Sequence, residues 1–271
     1  MPIHPTAVVD RHAELAADVD IGPHVCIEGP VRIGAGTRIY ASAYVSGWTT
    51  IGANCQIHPG AVVGHLPQDF HYHGDKSYCR IGDGTVIREF ASVHRGTQPE
   101  SATVLGRDCL LLGYAHVGHN CILDDGAKVY NNSLLSGHVE IGAGAIVSGL
   151  TAVHQFVRIG ELVMVGGASR VTQDIPPYLS FAPGMGLYGV NITGLRRAEV
   201  SGEAMRELDE LYRLLFRSGL PLGKALEQVV GRYRSTEAQR LIAFCRSPSK
   251  RGFAGGPDRE RSKQSRSHAE A

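Results

Sequence analysis

The chain has 271 residues with nearly balanced charge, 27 Lys and Arg against 26 Asp and Glu, for a net of +1. A field that weak recruits neither nucleic acid nor an anionic membrane surface. The sequence shows no apolar run of about 18 residues and no basic-plus-apolar leader, which predicts a cytoplasmic protein without integral membrane association. Its six cysteines include no Cys-x-x-Cys spacing and read as reduced, small apolar residues rather than disulfides or zinc ligands.

From Ile3 to Val171 a single frame places Ile, Leu or Val at every sixth residue. It runs unbroken from Ile3 through Ile27 and Val45 to Val63, resumes at Ile81, Ile87 and Val93, and continues from Leu105 to Val171, filling 26 of 29 positions. Neither a 3.6-residue nor a simple two-residue period holds such a frame. Four places after each anchor the residue is small or β-branched, as in Ala61, Thr85, Ala115, Cys121 and Ala145, so both positions point inward. Glycine often follows the anchor directly, as in Ile33-Gly34 and Ile141-Gly142, which suits a recurrent bend. Three short strands and three bends make a triangular coil of 18 residues. Stacked at about 4.8 Å, such coils form a parallel β-helix over residues 1–177. Two segments interrupt the frame. A loop insertion at 64–80 carries Gln68, Asp69, His71, Tyr72 and His73, and a polar stretch spans Thr97 to Val104.

Beyond Val171 the period stops, and Gln173 to Pro177 closes the prism. Tyr178 to Asn191 is rich in Gly and Pro and reads as a loop. Three helices follow. The first is capped by Ser201, has the apolar face Met205, Leu208, Leu211, Tyr212 and Leu215, and ends at Ser218-Gly219. The second carries Leu222, Leu226, Val229, Val230 and Tyr233, and Thr236 with Gln239 resembles a capping box for the third. Residues 178–246 therefore form a loop and a small α-helical domain, and the residues from 247 to 271, without apolar anchors, read as a disordered tail.

Because residues 18 apart stack on adjacent coils, His119, Gly137 and Gln155 form one column. Asn120, His138 and Phe156 form the next, and Gly118, Ser136 and His154 flank it. Three histidines, a glycine and a glutamine thus converge on one corner although they are scattered along the sequence. A histidine there suits general-base work, and a glycine beside it can present a backbone N–H to an oxyanion.

The motifs on these columns, with Thr151 to Phe156, Val163 to Gly167, Gln173 to Tyr178 and Gly189 to Arg197, closely resemble the UDP-N-acetylglucosamine O-acyltransferase family of lipid A biosynthesis. The resemblance covers roughly residues 1 to 245. It implies a left-handed β-helix, an exception to the usual right-handed crossover, assembled as a homotrimer with active sites between prisms. The implied reaction carries an (R)-3-hydroxyacyl group from acyl carrier protein to the 3-hydroxyl of UDP-N-acetylglucosamine, with no metal and no cofactor beyond the carrier thioester. By resemblance, His119 is the general base and the Gly137 N–H the oxyanion donor. Asp69 and His138 belong to the sugar site, Gln68, His154 and Gln155 to further substrate contacts, Asn191 and Arg197 to the nucleotide, and Gly167 to the end of the acyl-chain pocket. Four positions depart from the family pattern: His71 stands where a lysine is usual, Asn120 for an aspartate, Thr193 for a glutamate and Ala198 for an arginine. The alternatives are a zinc lyase of the γ-carbonic anhydrase type on the same solenoid, with His94, His116 and His119 as ligands, the N-acyltransferase that acts later on the same pathway, and a non-catalytic binding scaffold.

Overall fold

The computed structural model describes residues 3–255. Three sheets of short parallel strands run the length of the prism. The first has nine strands, from Val8–Val9 to Arg170–Val171. The second has eight, from Glu14–Leu15 to Arg158–Ile159, and the third has ten, starting at Asp20–Ile21. Each strand pairs with the equivalent strand one coil on, as Val9 with Ile27 and Val117 with Leu135. The hexad anchors fill the interior: Ile27, Ile57, Leu111 and Leu135 are fully buried, with the small residues Ala61, Ala115 and Ala127 packed between them. Burying such a side chain contributes about 1.5–3 kcal/mol, and every coil carries three of them.

The insertion at 64–80 leaves between Val62–His65 and Tyr78–Ile81 without breaking the ladder, since Tyr78 pairs back onto Trp48 and forward onto Ala102. All six cysteines are free and five are buried. Burial pushes the Cys79, Cys121 and Cys245 thiols up to about 12 and Cys109 to about 11, so they pack as small apolar groups.

The segment after the prism departs from expectation. Leu179–Ala182 continues the third sheet beside Met164–Val165, and Gly186–Val190 folds back antiparallel onto it. The glycines that suggest a loop serve the reversal instead, with Gly184 and Gly186 at positive φ. Four helices follow: α1 (Ile192–Arg197), α2 (Gly202–Arg217), α3 (Leu222–Glu227) and α4 (Thr236–Arg246). Ser201 caps α2 as expected, accepting the Ala204 N–H. The cap of α4 is Ser235, one residue earlier than the sequence suggests, and Glu207 of α2 accepts its N–H and hydroxyl.

The start of the expected tail also needs correction. Residues 247–255 lie along the last coil: the Asp174 N–H donates to Gly252 O at 2.8 Å, Ala254 N–H to Asp174 O at 2.9 Å, and Leu187 N–H to Gly255 O at 2.9 Å. Backbone hydrogen bonds hold this segment, with only Phe253 against Phe244 and buried Ala254 as apolar contacts, too few to set a hydrophobic pattern. The remainder of the expected tail, 256–271, lies outside the described residues.

Candidate active site

One corner of the prism, where the first sheet bends into the second, gathers the histidines. His116–Val117, Leu134–Leu135 and Ala152–Val153 are successive strands of the first sheet, and the residues after each form the bend. The ladder fixes their vertical order, with His138 N–H donating to His119 O at 2.9 Å and Phe156 N–H to Gly137 O at 3.2 Å. The His119 and His138 rings meet edge to face at 5.3 Å, and His138 stacks on Phe156 at 4.7 Å. Gly137 is required for this arrangement, because a Cβ there would lie 2.4 Å from His119 Nε2. Asn120, His138 and Phe156 all have positive φ, but so do residues at the other two corners, such as Asn54 and Tyr114. The strain belongs to the coil and marks no function by itself.

The hydrogen bonds around His119 define which nitrogen carries its proton. Asn120 Oδ1 accepts the Thr97 N–H at 3.0 Å, which turns the amide oxygen towards His119 Nδ1, also 3.0 Å away. An oxygen can only accept, so Nδ1 is the donor and Nε2 of the neutral ring is left as a base. Nε2 faces Asp69 Oδ2 at 3.6 Å, with the two side chains only 12% and 17% exposed. The His71 N–H, 3.0 Å from Asp69 Oδ1, is the main reason that the carboxyl is held down to about 2. Asp69 is therefore ionised at neutral pH. Two acceptors that converge without touching leave a place for a substrate O–H.

Two adjacent residues hold the insertion that delivers Asp69. His94 Nδ1 bonds the Leu66 carbonyl. The Arg95 guanidinium, 7% exposed, lies between the Trp48 and Tyr72 rings, 5.5 and 5.6 Å from their centroids, and donates to Tyr72 Oη at 2.7 Å. Gly47 makes room for it, since a Cβ there would come within 2.3 Å of Arg95 Nη1. Burial pushes His94 down and His116 down to about 4, so both are neutral at pH 7. His116 Nδ1 is bonded to Ser92 Oγ at 2.9 Å. Among the described residues no group of three His, Cys, Asp or Glu side chains is placed to hold a metal ion, the trio His94, His116 and His119 included.

Of the residues singled out from sequence, His119, Gly137, His138 and Asp69 come together. His154 and Gln155 stand at the next coil, His154 Nδ1 bonding the Gln155 carbonyl at 3.2 Å, and Gln68 is exposed on the insertion. Asn191, Arg197 and Gly167 lie elsewhere. Gly167 is at the bend between the third and first sheets. Asn191 caps α1 through Gly194 N–H and donates to Leu162 O at 2.8 Å, so its side chain is engaged within the chain. Exposed Arg197, with Tyr130, Met164, Ser180 and Thr193, lines a cavity of about 490 Å³ on the third sheet. This cavity and the histidine corner thus lie on different faces of the chain. Sequence pattern does not mark the role of Thr97, whose contribution is a backbone N–H, or of Lys250, whose Nζ sits 4.4 Å over the Phe156 ring.

Residues 174–254 match the family model described as UDP N-acetylglucosamine O-acyltransferase, domain 2, and residues 30–65 match the bacterial transferase hexapeptide model of six repeats. The chain is 43% identical over 256 residues to the acyl-[acyl-carrier-protein]–UDP-N-acetylglucosamine O-acyltransferase of Syntrophobacter fumaroxidans, covering 93% of this chain and 99% of that one. It is 38% identical to the protein of the same name in Chlamydia abortus, over 95% and 93% of the two chains. The crystal structure of the UDP-N-acetylglucosamine O-acyltransferase of Moraxella catarrhalis superposes with a TM-score of 0.88 at 37% identity, covering 93% and 99%. The fold is accordingly the left-handed β-helix with a small helical domain that the sequence predicts.

Nitrogen-15 NMR of the His119 ring at about pH 8.5, well above the ordinary imidazole range, checks the tautomer. The native ring should show Nδ1–H alone, Asn120→Asp should keep it, and Asn120→Leu should give a mixture. A native ring protonated on Nε2 would contradict the assignment.

Proposed function

The chain belongs to the UDP-N-acetylglucosamine O-acyltransferase family, and from that premise we propose that it moves an (R)-3-hydroxyacyl group from acyl carrier protein to the 3-hydroxyl of UDP-N-acetylglucosamine, the first step of lipid A biosynthesis, in the cytoplasm. The observation that carries the chemistry is the convergence of His119 Nε2 and the Asp69 carboxylate above Gly137. The acceptor hydroxyl donates to Nε2, and its oxygen attacks the thioester carbonyl as the proton passes to the ring. The tetrahedral oxyanion faces the Gly137 N–H. When the C–S bond breaks, the imidazolium returns the proton to the departing thiolate. Throughout, the ionised Asp69 stabilises the transient imidazolium and, as an acceptor, orients the sugar. His138, Gln68, His154 and Gln155 provide the remaining contacts at this corner. This mechanism needs no metal and no cofactor beyond the carrier thioester.

Asn191 and Arg197 receive the nucleotide and Gly167 ends the acyl pocket, on a face separate from His119 within one chain. The reading therefore requires a neighbouring copy to bring the second half-site to the first, as in a cyclic homotrimer. Asn191 serves through the α1 turn that it caps, and Arg197 as a cation lining the 490 Å³ cavity.

A product assay with UDP-N-acetylglucosamine and a panel of 3-hydroxyacyl carrier proteins tests the reading. His119→Ala should lower kcat about 10²- to 10⁴-fold with an unchanged melting curve, and retention of half the native kcat would remove His119 as the base.

In the same assay, Gly167→Met should shift preference towards shorter chains by about 1–3 kcal/mol. A Cβ at Gly167 meets only Gly149 O at 3.3 Å and Ser148 Cβ at 4.0 Å, so the variant should fold. Unchanged chain selectivity would place the end of the pocket elsewhere.

A further inference from the structure

The segment 247–255 brings a cation to the histidine corner. It is seated by three backbone hydrogen bonds to Asp174 and Leu187, two of which form the parallel bridge between Asp174 and Phe253. Arg158 Nη1 donates to Ser247 Oγ at 2.8 Å and Arg251 Nε to Thr172 O at 3.3 Å, while Phe253 meets Phe244 of α4 edge on at 6.1 Å. Lys250, in the middle of this anchored stretch, holds its ammonium 4.4 Å from the centroid of Phe156. That ring stacks on His138, which in turn meets His119, so ammonium, phenyl and two imidazoles form one continuous stack.

The charge balance of this corner is unusual for a site that receives phosphorylated substrates. Asp69 is negative, and burial lowers His94, His116 and His138, leaving them neutral at pH 7. The Arg95 guanidinium is enclosed between Trp48 and Tyr72. Among the described residues, Lys250 is the lysine or arginine that reaches the stack, and no carboxylate lies within ion-pairing distance of it. An exposed lysine whose ammonium lies over an aromatic face, with no acidic partner among the described residues, is a counter-charge open to an anion.

We propose that Lys250 binds a phosphate group of a substrate at the histidine corner, so that the end of the helical domain completes this half-site. The inference rests on the proposed transferase reaction, whose substrates offer two sources of that chemistry: the diphosphate of the sugar nucleotide and the phosphodiester of the carrier arm. In either case the ammonium contributes to binding and takes no part in proton transfer.

Steady-state kinetics of Lys250→Met and Lys250→Arg test the proposal. Methionine keeps an unbranched apolar side chain of similar length and removes the charge. Lys250→Met should raise one substrate's KM about tenfold or more while kcat stays within about twofold, and Lys250→Arg should largely restore it. A rise for UDP-N-acetylglucosamine, with weaker binding of uridine diphosphate but unchanged binding of uridine by calorimetry, identifies the diphosphate. A rise confined to the acyl carrier protein identifies the carrier arm. Unchanged KM for both substrates, or a fall in kcat alone, would overturn the proposal. Native turnover that depends on His119 is the control that separates this outcome from failure of the transferase reading itself.

Discussion

Successive coils hydrogen-bond to one another in a register of 18 residues, and every other feature of the molecule depends on that register. It is visible in single bonds, such as Thr151 N–H to Ser133 Oγ and Arg107 N–H to Asp125 Oδ1, each joining residues 18 apart. Because the strands are parallel and the interior holds one Ile, Leu or Val per side, a slip of one residue would turn the whole anchor set outward. The fixed register stacks side chains that are distant in sequence into rigid columns. The Asn120, His138 and Phe156 column is one, met edge to face by His119 from the neighbouring column, and its spacing comes from the backbone before any substrate enters. This preorganisation favours a base held against an acyl acceptor.

The register also explains how the insertions are tolerated. The coil that contains residues 64–80 returns to the ladder with Asp83 bonding Ala53, 30 residues away, and the next coil returns with Cys109 N–H bonding Thr85, 24 away. Each excursion is thrown outward while the anchors resume inside. The first of them carries Asp69 back over the corner, held by His94 and Arg95 at its base. The second presents the Thr97 N–H to Asn120, and so sets the orientation of His119. Irregular segments tune a site whose main elements are regular.

The column was legible in the sequence because it follows from arithmetic on a repeat: His119, Gly137 and His138 could be placed together without coordinates. Asp69 was recognisable by its motif but not by its distance to His119, since nothing local specifies where a loop lands. Thr97 was opaque because a backbone N–H leaves no trace in residue type. The strands Leu179–Ala182 and Gly186–Val190 were hidden by glycines that serve a reversal, and residues 247–255 by having only Phe253 and Ala254 as apolar contacts in a stretch held largely through its main chain. In each case, patterns that report side-chain burial were silent about backbone hydrogen bonding.

Because the cavity proposed to receive the nucleotide lies on a different face of the chain from the histidine corner, a site shared between copies is the central proposal. Mixed oligomers test it most directly, formed by co-refolding His119→Ala with Arg197→Ala, each of which should be strongly impaired alone. If one copy supplies the histidine corner and its neighbour Arg197, random assembly restores both groups at about a quarter of the sites. The mixture should then recover about a quarter of native activity. Activity of the mixture no greater than the average of the two variants would contradict a site built between copies.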